Sequence, residues 1–279
     1  MCSTAVPASC SPTICACRCM PISTKSRRWA RTTLATGHGW QMGEMHMSEV
    51  PGGEVRGLAI FDLDDTLLDG DATGLWTEWL IQLGWITDPE RYRAIWTQQM
   101  ADYAAGRLDM EAHLSHLLSP LAGRTVSEVE AEVGTFLDTE LLPRLYREGR
   151  ERIAWHRDQG HQVVIISAST AQLVAPLAER LALDTALATR LEVKDGCYTG
   201  RAQGIRTFRD GKLAALTHWL AEHLGPDGHS LPTWGYSDSR NDLALLEFVD
   251  HPHAVCADPT LEAIATQRHW PRLRWQGYD

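Results

Sequence analysis

The sequence lacks long apolar runs and lacks an excess of basic residues. No apolar stretch approaches the roughly 20 residues that cross a bilayer, so we expect no membrane-spanning segment. The 279 residues carry 36 acidic and 26 basic side chains, and the net charge of −10 disfavours nucleic acid and anionic membranes as partners. A hydrophobic content of 44% suffices for a globular core. We therefore expect a globular protein, a monomer or a homodimer, that binds neither nucleic acid nor a membrane.

Cysteine is almost absent from the body of the chain. Five of the seven cysteines lie within residues 1–19, and the other two are Cys197 and Cys256. Two cysteines give no disulfide framework, which is typical of proteins from a reducing compartment. We therefore expect a cytoplasmic location.

The segment 1–47 shows no apolar periodicity. It has no Cys-x-x-Cys pair of the kind that binds zinc and no long apolar core of a signal peptide. We interpret it as a disordered extension, or as upstream sequence translated from a start set too early, with Met47 as a natural beginning. A metal cluster and a targeting peptide remain alternatives.

The rest of the chain can be arranged around residues 58–71, which read LAIFDLDDTLLDGD. Four apolar residues run directly into Asp62 and Asp64, and such an unbroken run predicts a strand buried on both faces of a parallel sheet. Because side chains alternate along a strand, the two carboxylates lie on the same side. Open α/β sheets bind ligands at the carboxyl ends of their strands, and Mg²⁺ prefers oxygen ligands. A solvated acidic loop is the simpler alternative for this pair alone.

Residues 72–144 change to helical patterns. Apolar residues at helical spacing predict helices at 75–83, 89–103, 109–118 and 126–138, and nothing here indicates a strand. Four of the eleven tryptophans lie in this insert. We expect most of them to pack a small helical bundle and one or two to line a pocket. Arg107, His113 and His116 are candidate pocket residues, although solvated helix faces would explain them equally well.

After the insert, an apolar run at 163–166 predicts a second buried strand. Helices are predicted on either side of it, at about 141–160 and 171–182. Small residues follow the strand: Ser167, Ala168, Ser169 and Thr170. A strand, a tight turn and a helix N-terminus in succession favour anion binding. Ordinary N-capping by Ser169 or Thr170 is the simpler alternative, and both can hold together.

Two further features precede the last motif. Residues 186–200 predict a hairpin with its turn at Asp195 and Gly196. Lys212 follows Gly211 near the start of a predicted helix at 211–224. A lysine there is unfavourable for the helix dipole, so a bound phosphate or a buried aspartate would have to offset it. A solvated lysine is the alternative.

The final motif lies between a short strand predicted at 233–236 and a helix predicted at 243–249. Its sequence, residues 237–242, is SDSRND. Asp238 and Asp242 therefore stand four residues apart across a strand-to-helix turn. One more strand is predicted at 253–257, before a last helix.

The motifs DLDDT, SAST, GK and SDSRND occur in this order. Together they resemble the motifs of haloacid dehalogenase superfamily phosphatases, in the subfamily IB branch similar to phosphoserine phosphatase. The resemblance covers roughly residues 57–275. It implies a doubly wound parallel α/β sheet, the Rossmann-like core of that superfamily, with an inserted helical cap. The catalytic core would comprise 54–71 and 145–279, and the cap 72–144.

The resemblance also implies roles for the motif residues. Asp62 would be the nucleophile that becomes an aspartyl-phosphate, and Asp64 the general acid and then the general base. Ser167 and Ala168 would bind the phosphate. Lys212 would offset the negative charge of the phosphate and of Asp62.

The implied cofactor is Mg²⁺, held by Asp62, Asp64 and Asp238, with Asp64 contributing its main-chain carbonyl. Asp242 and Asn241 would surround this site and orient both the metal-bound waters and Lys212. Asn241 is also assigned to the substrate side of the site.

The function implied by the resemblance is Mg²⁺-dependent hydrolysis of a small phosphorylated metabolite. Asp64 separates the chain from dehalogenases and phosphorylated ion pumps, which lack an aspartate there. Asp71 stands where phosphoserine phosphatases often carry a glutamate that binds the substrate ammonium, which suggests an amine-bearing substrate. Ala168 and Ser169 replace the glycines typical of those enzymes and favour histidinol phosphate over phosphoserine. Phosphoryl transfer on the same site, or a non-catalytic phosphometabolite-binding regulatory module, remains an alternative.

Overall fold

A seven-stranded sheet forms the core of the described chain. The computed structural model describes residues 55–224 and 230–277, so the predicted extension at 1–47 lies outside the described residues. The strands are β1 (Gly57–Phe61), β2 (His161–Thr170), β3 (Thr185–Lys194), β4 (Cys197–Gln203), β5 (Thr233–Ser237), β6 (His251–Val255) and β7 (Arg272–Leu273). Their order in the sheet is β4-β3-β2-β1-β5-β6-β7. All neighbours are parallel except β3 and β4, which form the predicted hairpin.

Nine α-helices accompany the sheet in the described residues. They are α1 (Ala72–Gln82), α2 (Pro89–Ala104), α3 (Met110–Leu118), α4 (Val126–Phe136), α5 (Arg147–Asp158), α6 (Ala171–Arg180), α7 (Asp210–His223), α8 (Leu243–Phe248) and α9 (Pro259–Gln267). None of these described helices is long and apolar enough to cross a membrane. The order of strands and helices confirms the predicted doubly wound fold with helices inserted after the first strand.

Strand β1 buries side chains on both faces of the sheet. Ala59 and Phe61 belong to the larger apolar cluster, which also takes in the core of the helical insert. Leu58 and Ile60 belong to a second cluster with Leu216 of α7. All four side chains are fully buried, because helices cover both faces of the sheet at its centre. The apolar run before Asp62 is therefore a central strand, as its sequence predicts.

The helix predicted at about 141–160 begins later, at Arg147. A 3₁₀ turn at Leu142–Arg144 precedes it. Leu145 then adopts an extended conformation and forms a bridge with Leu68. The predicted start at 141 was wrong, because the pairing of Leu145 with the distant Leu68 overrides the local helical pattern.

The four inserted helices form the cap, and each begins at a side chain that accepts a hydrogen bond from the first turn. The capping residues are Asp71, Asp88, Asp109 and Thr125. Such caps satisfy backbone N–H groups that have no partner within the helix. The boundaries of the cap helices therefore lie close to those predicted from the sequence.

The two segments that join the cap to the core are hydrogen-bonded to each other. The N–H of Asp69 donates to the carbonyl of Arg144 at 2.9 Å, and the N–H of Tyr146 donates to the carbonyl of Leu67 at 2.9 Å. The hydroxyl of Tyr146 also donates to Oδ1 of Asp69 at 3.1 Å. The chain thus enters and leaves the cap through a short paired ribbon.

Candidate active site

Most residues predicted for the site lie at or just beyond the carboxyl ends of β1, β2 and β5, which are neighbours in the sheet, and Lys212 comes from the first turn of α7. A cavity of about 510 Å³ lies at this edge, with walls from the core and from the cap. Its lining includes every residue that was given a catalytic, metal-binding or substrate-binding role except Ser167, namely Asp62, Asp64, Asp71, Ala168, Lys212, Asp238, Asn241 and Asp242. They meet because the carboxyl ends of parallel strands share one edge of the sheet. Of the pocket candidates in the cap, His113 lines the cavity, whereas Arg107 and His116 do not.

Lys212 joins two carboxylates that follow different strands. Its Nζ lies 2.7 Å from Oδ1 of Asp62 and 2.7 Å from Oδ2 of Asp242. All three side chains are buried, with Lys212 only 4% exposed, so the alternative of a solvated lysine was wrong. Burial alone would lower the pKa of Lys212, but the adjacent Asp242 and Asp62 outweigh it and raise that pKa above its ordinary value. The ammonium is therefore a fixed positive charge in the site.

Gly211, which precedes Lys212 at the start of α7, lies too close to the backbone for a residue with a side chain. A Cβ atom at Gly211 would lie 1.8 Å from the carbonyl oxygen of Arg206. The N–H groups of Gly211 and Lys212 donate to the carbonyls of Phe208 and Arg209 at 2.9 Å each, which forms the first turn. The glycine thus permits the tight approach that places the lysine beneath the cavity.

Asp64 is held by hydroxyl and backbone donors. Its Oδ2 accepts from the hydroxyl of Ser169 at 2.9 Å and from that of Ser167 at 3.3 Å. Its Oδ1 accepts from the N–H of Ala72, the first residue of α1, at 2.7 Å. The carboxyl group is therefore fixed in orientation between the core and the beginning of the cap.

The small residues predicted to follow the second strand instead form its end, because β2 continues to Thr170. Ser167 is fully buried, with its hydroxyl toward Asp64, whereas Ala168 is exposed and lines the cavity. Contact of Ser167 with a phosphate stays a prediction. The capping alternative was wrong, because Thr170 stands at the N-cap of α6 without a side-chain hydrogen bond and the Ser169 hydroxyl contacts Asp64.

Thr66 connects the first motif to the last. Its hydroxyl donates to Oδ1 of Asp238 at 3.2 Å and accepts from the N–H of Asp238 at 2.9 Å. Thr66 is fully buried, so this pair of bonds fixes the Asp238 carboxylate relative to the turn that follows β1.

Crowding of carboxyl groups changes their protonation. Burial raises the pKa of Asp62 to about 7, with Lys212 opposing and Asp242 and Asp64 adding to the rise. Burial, followed by the charge of Asp71, raises the pKa of Asp64 to about 7. Burial and then repulsion by Asp62 raise the pKa of Asp238 to about 9. Carboxyl groups close to one another favour a bound cation, which relieves their repulsion.

The donor set fits Mg²⁺. Asp62 and Asp238 both line the cavity and offer carboxylate oxygens, the ligand type that Mg²⁺ prefers. No three His, Cys, Asp or Glu side chains of the described chain form a complete ligand set. Mg²⁺ does not need one, because it keeps several waters and binds through one or two carboxylates together with phosphate oxygens.

Asn241 contacts the cap and does not contact Lys212. Its Nδ2 donates to the hydroxyl of Tyr103, in α2, at 2.6 Å. Its Oδ1 accepts from Nε of Arg209 at 3.1 Å. Of the two residues predicted to orient Lys212, Asp242 makes that contact and Asn241 instead ties the last motif to the cap.

Asp71 caps the first helix of the insert. Its Oδ1 accepts from the N–H of Thr73 at 2.9 Å, and its side chain also lines the cavity. Burial raises the pKa of Asp71 above its ordinary range. Binding of a substrate ammonium stays a prediction, now beside an observed structural role.

Three residues of the site were missed by sequence reasoning. Thr66 and Ser169 stand inside motifs, but each bonds to an aspartate of a different motif, Asp238 and Asp64 respectively, and sequence spacing indicates neither contact. Tyr103 lies in a helical face that any packed aromatic residue could occupy. Only the tertiary structure brings it to Asn241.

The chain is similar in sequence to known hydrolases. A model of the haloacid dehalogenase-like hydrolase family matches residues 59–247, a range that includes all four motifs. The chain is 33% identical over 227 residues to a protein named histidinol-phosphatase from Neisseria meningitidis serogroup C (strain 8013), covering 80% of this chain and 100% of that relative.

Solved structures give the same architecture. A Bordetella pertussis Tohama I protein of unknown function aligns with a TM-score of 0.71 and 32% identity, over 79% of this chain and 99% of its own. A phosphoserine phosphatase with an analogue of its phospho-aspartyl intermediate aligns with a TM-score of 0.55 and 23% identity, over 81% of this chain and 96% of its own. The second likeness is one of fold.

Proposed function

Since the chain belongs to the haloacid dehalogenase-like hydrolases, we propose that it hydrolyses a small phosphomonoester with Mg²⁺, through an aspartyl-phosphate on Asp62. The observation that carries this proposal is the buried contact of Lys212 with Asp62 and Asp242 at 2.7 Å each. A carboxylate attacks a phosphate dianion poorly unless positive charge is fixed beside both. Lys212 supplies such a charge at the nucleophile itself.

The proposed reaction has two steps. A carboxylate oxygen of Asp62 attacks phosphorus, the bond from phosphorus to the alcohol oxygen breaks, and the protonated Asp64 gives its proton to that oxygen. Asp64 then takes a proton from water. The resulting hydroxide attacks phosphorus, the bond to Asp62 breaks, and phosphate leaves. Ser169 and the N–H of Ala72 keep the Asp64 carboxyl group oriented through both transfers.

Asp62 and Asp238 would hold Mg²⁺ through their carboxylates, and Asp64 through its main-chain carbonyl. When bound, the ion neutralises charge on the phosphate and so favours approach of the anionic nucleophile. Thr66, which bonds to Asp238 at 3.2 Å, fixes one of these ligands.

The charge of the cavity supports an amine-bearing substrate. Seven aspartates line it, against Lys212 and Arg240 as basic residues among the described lining. This excess of acidic groups favours an ammonium group near the phosphate and disfavours a second carboxylate. The identity to a relative named histidinol-phosphatase supports the same choice. We therefore propose histidinol phosphate ahead of phosphoserine, in a cytoplasmic enzyme with free Cys197 and Cys256.

Phosphate release from a panel of phosphomonoesters tests the proposed function. With Mg²⁺ present, histidinol phosphate should give a higher kcat/KM than phosphoserine. Glycerol and ethanolamine added as acceptors would reveal phosphoryl transfer as a new phosphomonoester. A chain that releases phosphate from no member of the panel would contradict the enzymatic proposal and favour the regulatory alternative.

Removal of divalent metal should abolish turnover. We expect phosphate release to fall to background after treatment with a chelator, and Mg²⁺ to restore it, because Asp62 and Asp238 offer only oxygen ligands. Activity is measured before chelation, after it and after readdition of Mg²⁺ or Zn²⁺. Full activity in metal-free enzyme would contradict the site, and restoration by Zn²⁺ alone would contradict the choice of metal.

Substitution of Asp71 separates its charge from its capping role. Asparagine caps helices about as well as aspartate, so Asp71→Asn should leave the melting temperature unchanged. It should lower kcat/KM for phosphoethanolamine about tenfold relative to glycerol phosphate, because a hydrogen bond to an ammonium loses its charge. Asp71→Ala, which removes the cap bond to Thr73, serves as the control for stability. Equal losses on both substrates in the asparagine variant would leave Asp71 with a structural role only.

A further inference from the structure

The cap contributes an apolar wall to the cavity. Six of its side chains there are Trp96, Met100, Leu108, Met110, Leu114 and Leu117. No lysine or arginine of the described cap lines the cavity. The acidic floor of the core and this wall therefore suit different parts of one substrate. The floor suits a phosphate with bound metal and an ammonium, and the wall suits an uncharged organic tail.

His113 is a polar group within that wall. It lies on α3, it is 9% exposed, and its side chain lines the cavity. Its Nδ1 lies 3.0 Å from Oε1 of Gln99 on α2. Its ring centroid lies 5.4 Å from that of Trp96, with the two rings tilted by 44°. The ring is thus held between an amide on one side and an indole on another.

The side-chain oxygen of Gln99 faces Nδ1 of His113, and this orientation assigns the ring proton to that nitrogen. An amide oxygen only accepts hydrogen bonds, so Nδ1 is the donor and Nε2 is the acceptor of a neutral ring. Burial, with a smaller effect of His116, lowers the pKa of His113 to about 4, which keeps the ring neutral at pH 7. Nε2 makes no hydrogen bond within the described chain.

Two other polar groups of the cap in this cavity are already engaged. The hydroxyl of Thr73 bonds to Oγ of Ser169 at 2.9 Å, and the hydroxyl of Tyr103 accepts from Asn241 at 2.6 Å. His113 therefore offers an acceptor that those hydroxyls do not. A partly buried acceptor without a partner favours a ligand that brings a donor.

We propose that His113 is a specificity-determining residue whose Nε2 accepts a hydrogen bond from an N–H group in the organic tail of the substrate. Trp96 and the apolar wall enclose the flat part of that tail. The substrate class is then a phosphomonoester with an ammonium near the phosphate and a nitrogen heterocycle beyond it. This inference rests on the proposed function and adds the group that selects the tail.

Gln99 is a positioning residue in this scheme. It does not line the cavity within the described residues, and it acts by holding the protonated Nδ1 of His113. Its replacement by methionine frees the ring to present an N–H at Nε2 in place of the acceptor. The same selective loss should therefore follow from Gln99→Met as from loss of the His113 ring.

Steady-state kinetics with two amine-bearing substrates tests the inference. Histidinol phosphate carries the heterocycle and phosphoethanolamine lacks it. His113→Phe should lower kcat/KM for histidinol phosphate about tenfold more than for phosphoethanolamine, chiefly through KM, as one lost hydrogen bond predicts. His113→Gln, which keeps an acceptor, should recover part of the difference. Gln99→Met should behave as His113→Phe does.

His116→Phe is the matched control. It lies on the same helix, and its ring stacks on Tyr92 at 3.9 Å between centroids, outside the lining of this cavity. This variant should keep the wild-type ratio between the two substrates, and melting temperatures of all variants report on folding. If His113→Phe does not fold, the glutamine and Gln99 variants decide the result.

The outcomes separate the inference from the proposed function. Equal losses on both substrates in the His113 and Gln99 variants would overturn the role of His113 and leave the phosphatase in place. A wild-type preference for phosphoethanolamine would contradict the inference that the substrate carries a nitrogen heterocycle and would leave the phosphatase in place. A wild-type protein that hydrolyses neither substrate nor any other phosphomonoester would overturn both.

Discussion

Asp62→Asn should abolish turnover and leave the fold intact. The substitution removes the attacking carboxylate, while the amide keeps the shape and an oxygen that can accept from Lys212, now 2.7 Å from Oδ1. We expect kcat to fall at least about 10³-fold, the scale seen when a covalent nucleophile is lost. Phosphate release is measured on the best substrate of the panel, with far-UV circular dichroism and thermal melting on the same samples.

The matched control is Asp158→Asn, an identical change at an exposed residue that ends α5. It should retain wild-type kinetics. Brief reaction with ³²P-labelled substrate and acid quench should leave label on the wild-type protein and none on Asp62→Asn. Turnover by that variant above a few per cent of wild type would exclude Asp62 as the nucleophile.

The second large effect is on stability and comes from Lys212→Met. In the wild type, Nζ of Lys212 lies 2.7 Å from a carboxylate oxygen of Asp62 and 2.7 Å from one of Asp242. Methionine keeps most of the side-chain volume but leaves these two buried carboxylates without their shared cation. Removing one partner from a buried ion pair costs about 3–5 kcal/mol of unfolding free energy. Urea denaturation at pH 7 without divalent metal measures this loss. Turnover should disappear in the same variant.

Added Mg²⁺ should return part of that stability, because it neutralises charge at Asp62 and Asp238. The control is Lys194→Met, the same change at an exposed lysine at the end of β3. In each condition, with and without Mg²⁺, this control should unfold at the same urea concentration as the wild type. A Lys212→Met protein as stable as wild type would show that the carboxyl groups need no fixed cation in the folded chain.

The core of the fold could be predicted because its signals are local. The apolar run before Asp62 and the one after position 162 are both central strands, and the turn at Asp195 forms the predicted hairpin. Hydrophobic period and turn chemistry depend on neighbours in sequence. The motifs at the ends of these strands then meet through the topology of a parallel sheet.

The contacts between distant groups could not be predicted in the same way. Asn241 and Tyr103 are 138 positions apart, and no periodicity links them. The hydroxyl of Ser169 lies closer to Asp64 than that of Ser167, a difference set by the exact path of the chain at the end of β2. The sequence-based candidates in the cap, such as His113, likewise gained a partner only when α2 and α3 packed together.

The paired ribbon between cap and core affects how such a protein can evolve. The ends of the insertion are one backbone hydrogen bond apart, as the pairing of Asp69 with Arg144 shows. The entropic cost of closing a loop grows slowly with its length, by about 0.6 kcal/mol for each doubling. The core therefore loses little folding free energy when the segment between these ends becomes longer or is exchanged. A whole lid can therefore be grafted at this ribbon, and the same nucleophile and cation then serve a new substrate.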